Sequence, residues 1–173
     1  ANRMIREKGW KVVEDSGRGY RRVVPSPVPI SIMEKKVIQQ MVENQNIIIA
    51  CGGGGIPVMI QDNEIKGVEA VIDKDYASSL LAQEIGAHLY VILTGVAQVS
   101  INYGKPNMQT LETITISEAK KYMAEGQFPL GSMGPKIAAA ISFIEAGGKE
   151  VLITSASELG RALKRQGGTY IVR

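Results

Sequence analysis

The stretch Val71-Ile72-Asp73-Lys74-Asp75 sets an apolar run directly against a lysine flanked by two carboxylates. An amphipathic segment, Tyr76 to Ile85, follows at once, so Lys74 and Asp75 are expected at a helix N-terminus. Free backbone N–H groups and the helix macrodipole favour a bound anion there, and a lysine adds a full positive charge. Adjacent carboxylates can orient that lysine or hold a metal ion. The same residues admit a plainer reading, in which Asp73 caps the helix and Lys74 is a solvated first-turn residue.

Two further segments favour the anion site. Residues 47–57 read Ile-Ile-Ile-Ala-Cys-Gly-Gly-Gly-Gly-Ile-Pro, which predicts a buried strand over Ile47 to Cys51 running into Gly52, Gly53, Gly54 and Gly55. Consecutive glycines carry a large conformational entropy cost, and they belong where φ is positive or where backbone meets a ligand closely. The end of an apolar strand is where open α/β sheets bind ligands, although a flexible loop or tight turn accounts for the same glycines. No Gly-Lys-Ser/Thr follows, so this is not a P-loop, and it is not GxGxxG before a helix. In the third segment, Gly131-Ser132-Met133-Gly134-Pro135-Lys136, Pro135 suits the first turn of an Ala-rich helix reaching Glu145. Lys136 then opposes the macrodipole unless an anion is present.

Outward from these segments the pattern is α/β. Met33, Val37, Met41 and Val42 mark an amphipathic helix, and Val58 to Gln61 reads as a strand before the turn Asp62-Asn63-Glu64. Leu89 to Thr94 is an apolar strand of the kind buried in parallel sheets; Gly95 breaks it, and Val96 to Ile101 resumes an extended pattern. Helices are expected over Ser117 to Glu125, with Ser117 as cap, and over Ser157 to Arg165. Strands are expected over Val151 to Ile153 and Thr169 to Val172. Such alternation implies a mostly parallel sheet with helices on both faces. Trp10 to Pro29 reads instead as an extended hairpin around Asp15 to Gly19, with Pro25, Pro27 and Pro29 preventing helix. A hairpin of this kind has little core of its own. The expected division is therefore a hairpin and linker segment over residues 1–29 and an α/β domain over 30–173. Ala1 is not an initiator methionine, so the chain reads as beginning inside a larger protein.

Composition narrows the function class. At 173 residues the chain can bury one substantial core. Arg18, Arg21 and Arg22 cluster, as do Arg161, Lys164 and Arg165, without the interleaved aromatics of single-stranded nucleic-acid platforms. These clusters read as solvated faces or local anion sites. The single cysteine, Cys51, precludes an intrachain disulfide and reads as a buried structural thiol in a reducing cytoplasm. With one histidine, His88, expected in a loop, neither zinc nor cysteine–histidine chemistry is indicated. No apolar run approaches a membrane span.

The segment Glu14-Asp15-Ser16-Gly17-Arg18-Gly19-Tyr20-Arg21-Arg22-Val23-Val24-Pro25-Ser26-Pro27 resembles the signature segment of bacterial carbamate kinases. So do Cys51 to Pro57, Gly67 to Asp75, Leu93 to Val96, Ile101 to Pro106 and Gly131 to Lys136. The resemblance runs in order from Gly9 to Val172 and corresponds to the second half of a typical member, its nucleotide-binding half. It implies an amino-acid-kinase-like fold, a three-layer αβα sandwich with a mostly parallel sheet. It also implies the reaction ATP + carbamate ⇌ ADP + carbamoyl phosphate, run toward ATP in arginine fermentation by a cytoplasmic homodimer. On that resemblance Lys74 and Lys136 clamp the transferring phosphoryl and the β-phosphate, and Asp75 holds the lysines. Gly52, Gly53, Gly54 and Gly55 face the acceptor and γ-phosphate, while Thr94, Gly95, Val96, Tyr103, Met133 and Pro135 shape the nucleotide pocket. Mg²⁺ is implied as a bridge between phosphate oxygens, and the other half of the same protein is implied as a partner. Gly134 stands where members can carry a larger residue. A nucleotide sensor without catalysis and an assembly scaffold are the competing readings; converging charges disfavour the scaffold, and turnover separates enzyme from sensor.

Overall fold

A computed structural model describes residues 2–14 and 19–173. Its centre is a four-stranded sheet ordered β5-β9-β10-β8. The strands are β5 (Leu89–Thr94), β9 (Glu150–Ser155), β10 (Thr169–Val172) and β8 (Thr113–Thr115). The pairs β5–β9 and β10–β8 are parallel and β9–β10 is antiparallel, so the sheet is mixed. Register aligns Leu89 with Glu150 and Thr94 with Ser155, which brings the C-terminal ends of β5 and β9 out together.

Alternation along the strands divides the core into two layers. Tyr90 and Ile92 of β5, Val151 and Ile153 of β9 and Ile171 of β10 face three helices: α3 (Lys74–Glu84), α4 (Ile116–Ala124) and α5 (Met133–Glu145). Leu152 and Tyr170 face the other way, onto the short helix α6 (Leu159–Ala162), with Leu89 and Val91 beside them. The α3–α5 contact carries polar staples. Ser79 Oγ donates to the Ala139 carbonyl at 2.8 Å, and Gln83 Nε2 donates to Ser79 at 3.1 Å and Ser142 at 3.2 Å. Ala77, Ala82, Ala139 and Ala140 are all buried and small, so the two backbones approach closely.

One helix and three hairpins stand apart from this sheet, the third still lending Ile101 to the core. Helix α1 (Asn2–Lys8) has no buried residue. Strands β1 (Val12–Glu14) and β2 (Tyr20–Arg22) form an antiparallel hairpin, as expected, while Arg18 and the turn at Asp15 to Arg18 lie outside the described residues. The region is tied down by an Arg22–Glu69 ion pair of 2.7 Å and by Val71 N–H donating to the Pro25 carbonyl at 3.0 Å. Strands β3 (Val58–Gln61) and β4 (Glu64–Gly67) form a second hairpin, with Asp62 and Asn63 at positive φ in its turn. A third pairs β6 (Ser100–Ile101) with β7 (Gln109–Thr110).

Several sequence expectations are corrected. Ile47 to Cys51 is not a strand; Ile47 and Ile49 are each 98% exposed. A strand needs a ladder, and although no described strand pairs with the outer edge of β5, Ala50 and Cys51 stand off from that edge across open space instead of pairing with it. Helix α2 (Lys35–Glu43) forms, but Met33, Val37, Met41 and Val42 are exposed and Ile38 is its buried residue. That helix is held instead by Lys35 Nζ donating to Glu84 at 2.8 Å. Val96 to Ile101 is strand only at Ser100–Ile101, because residues 95–98 bend where the chain leaves the sheet. Ser157 to Arg165 shortens to α6 plus turns.

Ser117 does not cap α4. Thr115 does, accepting from Glu118 N–H at 3.2 Å while the Glu118 carboxylate accepts from Thr115 N–H at 2.8 Å, a complete capping box. The periodicity places the cap two residues late because Thr115 also ends β8. Thr115→Ala is expected to lower stability by about 1 kcal/mol and Ser117→Ala by less than about 0.5 kcal/mol, read by denaturant unfolding.

Candidate functional site

Asp73, extended at φ −68°, ψ 128°, caps α3 by accepting from Asp75 N–H at 2.7 Å. That cap turns the next two side chains out of the first turn at the C-terminal side of the sheet. Asp75 is 5% exposed, and its Oδ2 accepts from two ammonium groups: Lys136 Nζ at 2.8 Å and Lys74 Nζ at 3.4 Å. Lys136 comes from α5 and is itself buried, whereas the Lys74 side chain is 62% exposed. Two positive charges share one carboxylate oxygen, so the trio keeps a surplus positive charge on its open side. A buried pair of this kind is costly to break from either end, about 3–5 kcal/mol when one partner is removed.

A cleft of about 350 Å³ opens over Lys74 and Asp75. Its lining includes Lys74, Asp75, Ser78, Tyr90, the Val91–Leu93 edge of β5, and Ala50, Cys51, Gly53 and Gly54 of the glycine loop. From Cys51 to Gly55 every φ is positive, at 63°, 33°, 90°, 132° and 84°. Gly54 is the buried member, and a Cβ there would lie 2.1 Å from the Ile72 carbonyl oxygen. The loop is therefore keyed onto the residue preceding the Asp73 cap, which fixes its distance from Lys74.

Not every residue singled out from the sequence lines this cleft. Gly52 and Gly55 are exposed beside it, and Lys136 reaches it only through Asp75. Thr94, Gly95, Val96, Tyr103, Met133 and Pro135 lie outside its lining. Thr94 ends β5, and Ala97 just beyond is tethered through its carbonyl by Thr154 Oγ1 at 3.1 Å. Tyr103 is 69% exposed in a turn anchored by Asn102 N–H donating to Gln127 Oε1 at 2.8 Å. Met133 opens α5 and packs on the core. Gly134 is tighter than expected, since a Cβ there would lie 3.0 Å from the Pro129 carbonyl oxygen. A larger residue at that position requires the Pro129 backbone to give way.

Cys51 is half-buried rather than buried, and burial, with Glu34 and Glu84 nearby, pushes its thiol up from the ordinary value. That shift favours the protonated thiol over the nucleophilic thiolate. His88 is exposed in a bend, in keeping with a loop role. A second depression, about 270 Å³, contains Arg165, but that guanidinium is stacked 3.8 Å over Tyr170 and paired with Glu150. Its charge is already engaged, which leaves the first cleft as the better anion site. Ser78 and Tyr90 are the lining residues that sequence reasoning missed; the only signal was a serine four positions after Lys74.

Residues 3–155 match the model of the amino acid kinase family. The chain belongs to that family. The carbamate kinase of Thermococcus kodakarensis is 51% identical over 100% of this chain and 55% of that protein. Carbamate kinase from Staphylococcus haemolyticus is 51% identical over 99% of this chain and 56% of its own length. The structure of carbamate kinase from Giardia lamblia bound to AMP-PNP superposes with a TM-score of 0.91 at 45% identity, over 99% of this chain and 54% of that one. The chain thus spans about half the length of the relatives it matches. The α/β amino-acid-kinase fold is shared with them, and no helix among the described residues is long and apolar enough to cross a membrane.

Two measurements test this geometry. Gly54→Ala and Gly53→Ala share the positive-φ penalty, but only position 54 meets backbone, so Gly54→Ala is expected to be less stable than Gly53→Ala by about 1–3 kcal/mol. Equal stabilities would show that the loop is not keyed on Ile72. Burial, joined by the Asp75 and Asp73 charges and opposed by the Ser78 hydrogen bond, pushes the Tyr90 phenol up to about 12. The folded state then favours the neutral phenol, a contribution fully present below pH 10 and lost as pH rises toward 12. The loss is about 2–3 kcal/mol, and it should be absent from Tyr90→Phe in alkaline unfolding titrations.

Proposed function

We propose that this chain is the nucleotide-binding half of a carbamate kinase, which transfers a phosphoryl group between ADP and carbamate. The observation that carries the reading is the convergence of Lys74 and Lys136 on one buried Asp75 oxygen beneath a glycine loop. Phosphoryl transfer passes through a loose transition state with charge spread over the equatorial oxygens, so catalysis is chiefly positioning and electrostatic stabilisation. Lys74, exposed at the mouth, meets the transferring phosphoryl; Lys136, held back by Asp75, meets the β-phosphate side. Asp75 keeps two mutually repelling ammonium groups close together before any phosphate arrives. The open backbone of Gly52 to Gly55 lets N–H groups approach anionic oxygens. Thr94, Gly95, Val96, Tyr103, Met133 and Pro135 belong to the adenine and ribose side in this reading.

Mg²⁺ fits as part of the nucleotide rather than as a resident ion. Among the described residues no three His, Cys, Asp or Glu side chains gather to hold a metal, and Asp73 and Asp75 are already engaged. Bound with the nucleotide, the ion neutralises charge on the phosphate oxygens. Residues 1–29 form a segment of a separate subdomain and 30–173 the nucleotide-binding domain, an assignment supported by the absence of buried residues in α1 and by the exposed β1–β2 hairpin. The remaining half of the protein supplies the carbamate-holding segments. The setting proposed is a cytoplasmic homodimer working toward ATP in arginine breakdown, which is what the resemblance to carbamate kinases implies.

ADP is expected to bind with a measurable heat that changes when Mg²⁺ is withdrawn. Lys74→Ala is the cleaner probe, because that lysine is exposed and its loss leaves the buried pair intact. It should weaken ADP by about 1.5–3 kcal/mol, the range for hydrogen bonds to charged groups. No heat at millimolar ADP, or an unchanged affinity in Lys74→Ala, would count against the site. Turnover of carbamoyl phosphate and ADP to ATP, followed in a coupled assay, distinguishes the enzyme from a nucleotide sensor. The chain alone should lag the whole protein by orders of magnitude, since positioning of both reactants supplies about 7–11 kcal/mol of barrier lowering.

A further inference from the structure

Beneath the cluster of Lys74, Asp75 and Lys136 the sheet reaches up and holds the helix that carries the first two. Tyr90, on β5, is 6% exposed, and its hydroxyl donates to the Asp75 carbonyl at 3.0 Å. The Tyr90 hydroxyl oxygen also lies 2.7 Å from Ser78 Oγ, which lies 2.7 Å from the Lys74 carbonyl, so two hydroxyl protons are shared among these three contacts. Two hydroxyls thus grip the backbone of the two consecutive residues whose side chains form the mouth of the cleft. Each first-turn carbonyl has a second lone pair free for such a bond beyond its helical one. A buried tyrosine needs some polar partner, and any nearby carbonyl would satisfy it. Here the partner is the Asp75 carbonyl, and Ser78 links the same hydroxyl to the carbonyl of Lys74.

The grip is rigid at its far end. The Tyr90 ring packs on Phe143 of α5 with centroids 5.6 Å apart, and Phe143 is 1% exposed. Behind Phe143 there is no slack, since a Cβ at Gly148 would fall 2.3 Å from its ring. Along β5, Tyr90 is locked opposite Val151. One aromatic side chain therefore touches both helices that meet at Asp75: α3 through hydrogen bonds and α5 through its ring.

We infer that the Tyr90 hydroxyl, together with Ser78, is a positioning group that sets Lys74 and Asp75 relative to Lys136. The assignment rests on the phosphoryl-transfer reading of that trio for its catalytic consequence, though not for its geometric one. Tyr90 touches no substrate atom in this scheme; it acts through the α3 backbone. Misplacement of a reacting group by about 1 Å costs as much as a hundredfold in rate, so a small slip of the first turn is enough to be seen.

Tyr90→Phe keeps the ring on Phe143 and removes only the hydroxyl. In the whole protein as its gene encodes it, kcat for ATP formation should fall by about tenfold, with KM for ADP changed by less than about threefold. Ser78→Ala should act in the same direction, and the double variant should lose less than the product of the two, because the hydroxyls work as a unit. A second readout needs no turnover. In protein labelled with ¹⁵N-lysine, the side-chain ammonium signal of Lys136, assigned through its disappearance in Lys136→Arg, should shift or broaden in Tyr90→Phe. A purely structural tyrosine would lower the melting temperature and leave both kcat and that signal in place. An unmoved ammonium signal, or a kcat within about twofold of the unsubstituted protein, overturns the assignment. If the unsubstituted protein shows the paired ammonium but no turnover, the phosphoryl-transfer reading fails, and the ammonium signal alone decides the role of Tyr90.

Discussion

One carboxylate oxygen, Asp75 Oδ2, holds two ammonium groups that would otherwise repel each other. The arrangement needs the carboxylate buried, so that its charge is little screened, and it needs α3 and α5 close enough for a lysine on one to reach an aspartate on the other. Both conditions come from the helix pair. Small residues line the α3–α5 contact, and the Ser79 hydroxyl closes on the Ala139 carbonyl inside it. An ion pair in this setting adds little net stability, because desolvation offsets much of the Coulomb attraction. Its consequence is geometric: it fixes where positive charge stands before an anion arrives.

The glycine loop obeys the same constraint from the opposite wall. Its approach to α3 is set by the missing Cβ of Gly54 against the Ile72 carbonyl, two residues before Lys74. The neighbouring glycines remain exposed, with backbone available to a ligand. A loop that is keyed at one residue and open at the rest can present N–H groups without collapsing into the cleft. Site and scaffold are thus separated by a single position.

Much of the fold was legible because it is written in local periodicity. The strand Leu89–Thr94, the helix beginning at Lys74, the β1–β2 hairpin and the strand Thr169–Val172 follow from alternation, caps and turn residues close in sequence. The failures share a cause. Ile47 to Cys51 has every local mark of a strand, yet a strand is a relation between two segments, and this one pairs with no described strand. The apolar residues of α2 likewise have nothing described to pack on, so Ile38 alone is buried. At α4, Thr115 serves as both strand end and helix cap, and a pattern that assigns each residue to one element starts the helix late.

By itself the sequence determined that this is an α/β chain with lysines at two helix mouths and a glycine loop at a third position. Helix starts depend on neighbours within four residues, so Asp73, Lys74 and Pro135 announce themselves locally. The resemblance implied that Asp75 holds both lysines, but only the tertiary structure showed the contact itself, which spans 61 residues of sequence. It alone showed that Gly54, among four glycines, is the one with no room for a side chain. It alone placed Tyr90 under the backbone of Lys74 and Asp75, because strand register determines which residue of β5 faces α3. Distance in space between residues remote in the chain is set by packing, and no local pattern encodes it.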